Sequence, residues 1–259
     1  MNRLSSSIAS GCGRILLRLT GLAVLGLLCV GPASAGGLGW VQDGAENGLK
    51  IIARALAASQ AKGLQTVDPE SLNPPAEIEF VPWFGPIPYD KCWKSTTEIT
   101  CVAYLRTFQV GDGSLEGQGG EPLDWGIVCD QGYSLYQQFQ NTWVIVRFYT
   151  LAGDIVSRYR IEIGDGTVYN SINGKAARLF FNDLFKSIWS TPGDPDTEII
   201  TIFGNDWSAA TLKGKLLVRS YGAATFFPDG TWTQTGAHPL DAYFFGDPSG
   251  IAALCNYVK

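Results

Sequence analysis

Apolar and polar residues alternate over much of the second half of the chain, and this pattern predicts a β-rich protein. The clearest example is the segment 155–163, in which Ile155, Tyr159, Ile161 and Ile163 share one face. Alternation of this kind is typical of a strand with one buried face. The segment predicts a hairpin with 143–150, followed by a turn at 164–167.

Further strands are expected wherever short apolar runs lie between turn residues. These runs cover 91–94, 98–110, 125–129, 198–203, 216–219, 223–227, 231–235 and 242–245. Pro228-Asp229-Gly230 separates two of them and predicts a second hairpin.

Helical spacing of apolar residues predicts two helices. The broader apolar face lies within 175–189 and includes Phe180, Leu184 and Ile188. A narrower stripe at 45–61 predicts an N-terminal helix on the outside of the domain. We therefore expect an α+β fold: a predominantly antiparallel sheet, as a sandwich or partly open barrel, with helix 175–189 packed against it. Ser249 is expected to cap a short C-terminal helix.

The N-terminal segment resembles a secretory signal. Three arginines precede an uncharged run at 19–30, and Ala33-Ser34-Ala35 follows it. The run is short for a membrane span, and Ala-x-Ala is accepted by signal peptidase. We expect a signal peptide at 1–35, an N-terminal helix and connector at 36–89, and a β-rich domain at 90–259. Retention of the segment as a membrane anchor is the alternative.

The charge of the chain excludes some partners. Removing the three arginines of the first 35 residues from 19 basic residues leaves 16 against 24 acids, a net charge of −8. An acidic protein without a basic cluster has no electrostatic attraction for nucleic acid. No apolar stretch after residue 35 approaches membrane length, so we expect no membrane span in the mature chain.

Four cysteines remain beyond the signal, and they predict two disulfides in an oxidising compartment. If Thr96-Thr97 is a two-residue turn, Cys92 faces Cys101 at a position where antiparallel strands approach closely. Elimination then pairs Cys129 with Cys255. Neither a CxxC pair nor a second histidine is present, so we expect no metal site, and the absence of phosphate-binding patterns predicts no cofactor.

Aromatic residues are the most suggestive surface candidates. Prolines restrict the segment 65–89, which carries Trp83 and Phe84, and Trp93 follows a predicted disulfide cysteine. Trp207 and Trp232 also lie close to predicted turns. Rigidly held aromatic rings suit a protein or carbohydrate partner, although burial in the core is the competing interpretation.

Candidate catalytic residues are few. His238 is the only histidine, and Asp241 could orient it as a general base if a serine were supplied from elsewhere in the fold. Surface acids could also form a carboxylate pair of the kind used in glycoside hydrolysis. They are Glu116, Glu121, Asp124, Asp194, Asp196 and Glu198. The loop beginning at Asp112 lacks the acidic twelfth residue of an EF-hand, and a looser calcium site there or at 194–196 is a minor alternative.

Together these patterns favour an exported, non-enzymatic binding or envelope-assembly protein of the periplasm or exterior. Its partner would be an envelope protein or a carbohydrate. The alternative is an exported hydrolase that uses His238 with Asp241 or a carboxylate pair.

Export is expected to remove residues 1–35. Intact mass measurement of the exported protein should therefore show a chain that begins at Gly36. A product that still begins at Met1 would contradict cleavage and favour the anchor.

Overall fold

Most of the described chain is β-strand. The structure, a computed structural model, describes residues 39–73, 79–81, 85–87, 89–110 and 123–259. Helices are α1 (Gly39–Ser59), α2 (Pro239–Phe244) and α3 (Ala252–Val258), with 3-10 turns at Pro69–Ser71, Pro195–Thr197 and Pro248–Ile251. Strands are β1 (Gln65–Thr66), β2 (Glu79–Val81), β3 (Gly85–Ile87), β4 (Lys91–Lys94), β5 (Ile99–Val110), β6 (Leu123–Val128), β7 (Ser134–Tyr149), β8 (Ile155–Asn170), β9 (Ala176–Trp189), β10 (Glu198–Ala210), β11 (Leu216–Val218), β12 (Tyr221–Phe226) and β13 (Trp232–Ala237).

Eleven of these strands form one antiparallel sheet. Its order is β1-β4-β5-β7-β8-β9-β10-β12-β13, with β6 beside β7 and β11 beside β10, while β2 and β3 form a separate hairpin. The described strands at its two ends, β1 and β13, do not pair with each other, so the sheet is open. The expected antiparallel, β-rich fold is confirmed. None of the helices in the described part of the chain has the length and apolar character needed to cross a bilayer.

The two faces of the central strands are buried against different partners. One face packs beneath α1, where Ile52 of the helix joins Val144 of β7, Leu184 of β9 and Phe203 of β10 in one apolar cluster. The opposite face carries two apolar clusters. One contains Leu135 of β7 and residues of α3, and the other contains Trp143 and Ile145 of β7. The expected N-terminal helix is therefore present and covers one face of the sheet.

The helix predicted at 175–189 is wrong, because this segment is strand β9. It pairs with β8 on one side and β10 on the other. Leu184 packs under α1 while Leu179 and Phe181 pack on the opposite face. A central strand with both faces buried is apolar on both sides, and its sequence then imitates the broad apolar face of a helix.

Two shorter predictions also need correction. The turn expected at 164–167 is absent, because β8 continues to Asn170 and these residues pair with both neighbouring strands. The strand expected at 242–245 is mostly helix α2, which begins at Pro239, a residue that suits the first helical turn. The C-terminal helix is present, but Asp247 rather than Ser249 caps the turn that leads into it.

Both expected disulfides are present. Cys92 faces Cys101 across β4 and β5, and the hydrogen bond from Ser95 N to Glu98 O closes the expected two-residue turn. Cys129 joins Cys255 of α3 over a sequence separation of 126 residues. The second bridge ties the segment after β6 to the last helix.

A row of three glycines crosses the sheet where neighbouring backbones approach closely. Gly204, Gly222 and Gly236 are paired in register on β10, β12 and β13. Their φ angles are 110°, 114° and 93°, a region that residues with a Cβ rarely adopt. A Cβ at Gly222 would lie 1.9 Å from the carbonyl oxygen of Thr235. The strands can approach this closely, with these backbone angles, only because the side chains are absent.

The glycine row predicts a large difference between two substitutions. Gly222→Ala should lower the free energy of unfolding by more than about 3 kcal/mol, because backbone strain and a steric clash act together. Gly230→Ala, at φ 79° with no atom within 4 Å of the added Cβ, should cost only about 1–2 kcal/mol. Urea unfolding of both variants measures the difference. Equal costs would show that close packing at the row is unimportant.

Candidate functional site

His238 and Asp241, which the sequence singles out as a possible pair, are in contact. The distance from His238 Nδ1 to Asp241 Oδ2 is 3.1 Å. His238 directly follows β13, and Asp241 lies in the first turn of α2. Only 2% of His238 is exposed, so the pair is an interior feature.

A bulge in β10 brings Asp206 to the same place. Between the pairs Asn205–Asn182 and Ser208–Phe180, Asp206 and Trp207 of β10 stand opposite the single residue Phe181 of β9. Trp207 has a φ of 27°, the only positive φ of a non-glycine residue in the described chain. Its ring lies 4.4 Å from that of Phe181, centroid to centroid, and this packing holds the bulge. Bulges of this kind re-aim side chains.

The pair and Asp206 belong to a larger buried group, which we call the polar belt. It lies on the face of the sheet opposite α1, close to the two apolar clusters of that face. Its members are Asn141, Arg160, Glu162, Asp183, Asp206, His238 and Asp241. Asn141 donates to Glu162 Oε1 at 2.6 Å, and Arg160 binds Glu162 Oε2 at 3.2 Å.

The arginine of the belt is already engaged. Besides its ion pair with Glu162, the guanidinium carbon of Arg160 lies 4.5 Å from the ring centroid of Trp143 and 4.1 Å from that of Phe185. Both distances are within the range of cation–π attraction. The other carboxyl groups of the belt share its charge only at longer range.

Burial and neighbouring acids raise the pKa values of two belt carboxyls. Burial raises the pKa of Asp183 well above its ordinary value, and the charges of Glu162 and Asp206 raise it further. Burial also raises the pKa of Asp206 well above its ordinary value, and the charge of Asp241 and a hydrogen bond with it add to the effect. Arg160 opposes both shifts with a smaller influence. Protonation of these carboxyls is therefore favoured in the fold.

The belt offers metal ligands but lacks an assembled nucleophile among the described residues. One ligand atom from each of Asp206, His238 and Asp241 lies within 4.8 Å of the others. Ser220 is near in the fold, one position beyond the pair Tyr221–Ala237, yet it is fully buried and its Oγ has no described partner. The serine that a His238-dependent hydrolase requires is thus not hydrogen-bonded to the imidazole.

A second feature is an aromatic surface at the sheet edge, which we call the aromatic platform: Phe226, Trp232 and Phe245. Phe226 and Trp232 face each other across the β12–β13 hairpin, and Phe245 follows α2. Ring centroids are 6.0 Å apart for Phe226–Trp232 and 4.9 Å for Trp232–Phe245, with interplanar angles of 8° and 18°. Phe245 is 47% exposed. Within the described chain, these rings belong to none of the three apolar clusters.

The other aromatic candidates lie elsewhere. Trp83 and Phe84 fall outside the described residues. Trp93 is 5% exposed and packs in the cluster beneath α1, so it forms part of the core. Trp207 packs against another core cluster, whereas Trp232 is half-buried within the platform.

The predicted carboxylates that the structure describes make separate contacts. Asp124 and Asp194 accept hydrogen bonds from Gly126 N and Asp196 N in local turns. Glu198 binds Arg158 at 3.0 Å. Glu116, Glu121 and the loop at Asp112 lie outside the described residues. Among described residues, 194–196 is not part of a metal-type cluster.

Sequence reasoning missed Glu162, Asp183 and Asp206. Each is an acid within a strand, and Asp183 directly precedes the apolar residues Leu184 and Phe185. An acid inside an apolar segment is a signal of a buried polar group, because an isolated charge is costly to bury. The helix prediction concealed this signal for Asp183.

Comparison with protein-family models, curated proteins and solved structures gives no match to this chain.

The raised pKa of Asp183 predicts a pH dependence of stability. The unfolded-state pKa is about 3.9, so in metal-free buffer the folded chain holds this proton to a higher pH than the unfolded chain. Stability from this group is fully present below about pH 4 and is lost as pH rises through the folded pKa. Asp183→Asn should therefore gain stability relative to wild type between pH 4 and pH 7, measured by urea unfolding with EDTA.

Asp229→Asn is the control, because the pKa of Asp229 is shifted in the opposite direction. Hydrogen bonds from Thr231 lower the pKa of the exposed Asp229 carboxyl. Its removal should alter the pH slope only below about pH 4. If the free energy of unfolding of Asp183→Asn changes with pH as it does in wild type from pH 4 to pH 7, the raised pKa of Asp183 is contradicted.

Proposed function

We propose that this chain is an exported, non-enzymatic binding protein that docks an extended segment of a partner protein at β13 and the aromatic platform. The stacked rings of the platform carry this proposal: Phe245 is exposed, and Phe226 and Trp232 are half-buried beside it. Aromatic residues held in this manner supply large contact areas and are enriched among the residues that dominate binding energy.

The two disulfides and the N-terminal pattern support export. Disulfides persist mainly in oxidising compartments such as the periplasm or the cell exterior. Cys92–Cys101 and Cys129–Cys255 are both present in the fold. The Ala33-Ser34-Ala35 site after an uncharged run provides the route.

The edge of the sheet supports an extended partner. Strand β13 ends the described strand order, and its six residues include neither a charge nor a proline. Edge strands usually carry such features to prevent pairing with other chains. The opposite end, β1, has only two residues and is protected by its short length. An added strand at β13 would gain backbone hydrogen bonds beside the platform.

The rigidity of the platform favours affinity. Phe226 and Trp232 flank a hairpin that is closed by hydrogen bonds from Phe227 N to Thr231 O and from Gly230 N to Phe227 O. Rings that are fixed before binding lose little conformational freedom when a partner arrives. An apolar side chain of the partner could therefore pack on the rings at low entropic cost.

The hydrolase alternative has weaker support. A substrate would need to reach His238, which is 2% exposed, and Ser220, which is fully buried.

Photo-crosslinking tests the platform directly. A photoreactive amino acid at position 245 should yield a discrete protein adduct in the producing cells. The same amino acid at Ile172, which is 77% exposed between β8 and β9, should not. Trp232→Ala should abolish the adduct from position 245, because it removes the central ring of the platform, while the unfolding midpoint and both disulfides are retained.

Two results would contradict the proposal. Equal adducts from positions 245 and 172 would show nonspecific capture. Loss of binding to an isolated glycan in Trp232→Ala, without any protein adduct, would replace the peptide partner with a carbohydrate.

A further inference from the structure

Three side chains from separate elements converge inside the fold at the polar belt. Asp206 comes from the bulge of β10, His238 from the end of β13, and Asp241 from α2. One ligand atom from each lies within 4.8 Å of the other two. Atoms that bind one metal ion at about 2.0–2.2 Å must lie within such a distance of one another.

Two atoms of this group that could bind a metal lack a hydrogen-bond partner within the described chain. His238 Nε2 and Asp206 Oδ1 are buried, and neither has a hydrogen-bond partner among the described residues. Both side chains are 98% buried, since each has a relative exposure of 2%. A buried polar atom without a partner is costly, so its presence at a convergent site points to a missing ligand.

From this convergence we propose that Asp206, His238 and Asp241 bind a divalent transition-metal cation, with zinc(II) as the representative ion. The imidazole nitrogen indicates which class of metal the site would bind. Nitrogen with two carboxylates suits zinc and related ions, whereas calcium and magnesium prefer shells made only of oxygen. Three protein ligands leave a further position for water or another donor.

The surrounding charges also favour a cation. Glu162 and Asp183 add two carboxyl groups near the three ligands. The nearby cation Arg160 is held by Glu162 at 3.2 Å and by the rings of Trp143 and Phe185. The guanidinium is therefore engaged away from the three ligands, and a divalent ion there would replace protons that burial otherwise favours on the carboxyls.

The expected effect of the ion is structural. It would join the bulge of β10, the end of β13 and helix α2 at one point. Because an ion that binds only the folded chain shifts the folding equilibrium, binding should raise the unfolding temperature. This inference does not depend on the proposed docking function.

Zinc titration of the purified, untagged protein after EDTA treatment is the direct test. We expect binding of one equivalent of ZnCl2 by calorimetry and a rise in unfolding temperature. Asp206→Asn and His238→Gln should each weaken zinc binding by at least about 100-fold, since loss of a residue that only orients a ligand already costs about 10- to 100-fold. Asp183→Asn, a belt carboxyl outside the three ligands, should retain one equivalent.

A measurement on the wild-type chain avoids variants that fail to fold. His238 is the only histidine of the sequence, so its ring gives one assignable set of NMR signals. Stoichiometric zinc should shift these signals and saturate at one equivalent. Unchanged ring signals, binding of CaCl2 but not ZnCl2, or wild-type zinc affinity in both ligand variants would overturn the proposal.

Discussion

The burial of both faces of the long central strands governs the rest of the structure. Strands β7 to β10 contain 16, 16, 14 and 13 residues, and each pairs with neighbours on both sides. A sheet with apolar residues on both faces needs other elements packed on each face to keep those residues from water. Helix α1 covers one face, and residues of the C-terminal helices α2 and α3 pack against part of the other.

This arrangement explains why the polar belt is buried. The belt lies on a face that apolar clusters also occupy, so its polar groups must be satisfied by one another, by protonation of the acids or by a bound ion. Helix α2 connects this interior with the surface. Asp241 reaches His238 inside the fold, while Phe245, which follows the helix, stacks on Trp232 at the sheet edge. A change in the position of this short helix would thus alter both the polar belt and the aromatic platform.

Local signals in the sequence predicted local structure well. The Pro228-Asp229-Gly230 turn and the short spacing between Cys92 and Cys101 identified pairs of adjacent strands, because such contacts depend on only a few intervening residues. Strand β9 was mistaken for a helix because its apolar residues serve two faces. Beyond the pair His238–Asp241, which the sequence did suggest, the belt was not predicted for a different reason. Asp206 meets His238 through a bulge in β10 and across the intervening strand β12, and no periodic pattern encodes that meeting.

The spacing of the two disulfides bears on the order in which the chain matures. Cys92 and Cys101 are separated by 9 residues, whereas Cys129 and Cys255 are separated by 126. Because a chain emerges from its N-terminus, Cys129 is present long before its native partner, and the nearest thiols are then those of the β4–β5 hairpin. Rapid closure of that small loop removes both thiols from exchange with Cys129. An early hairpin bridge would therefore limit mispairing of Cys129, and the second bridge would form only once Cys255 of α3 is available.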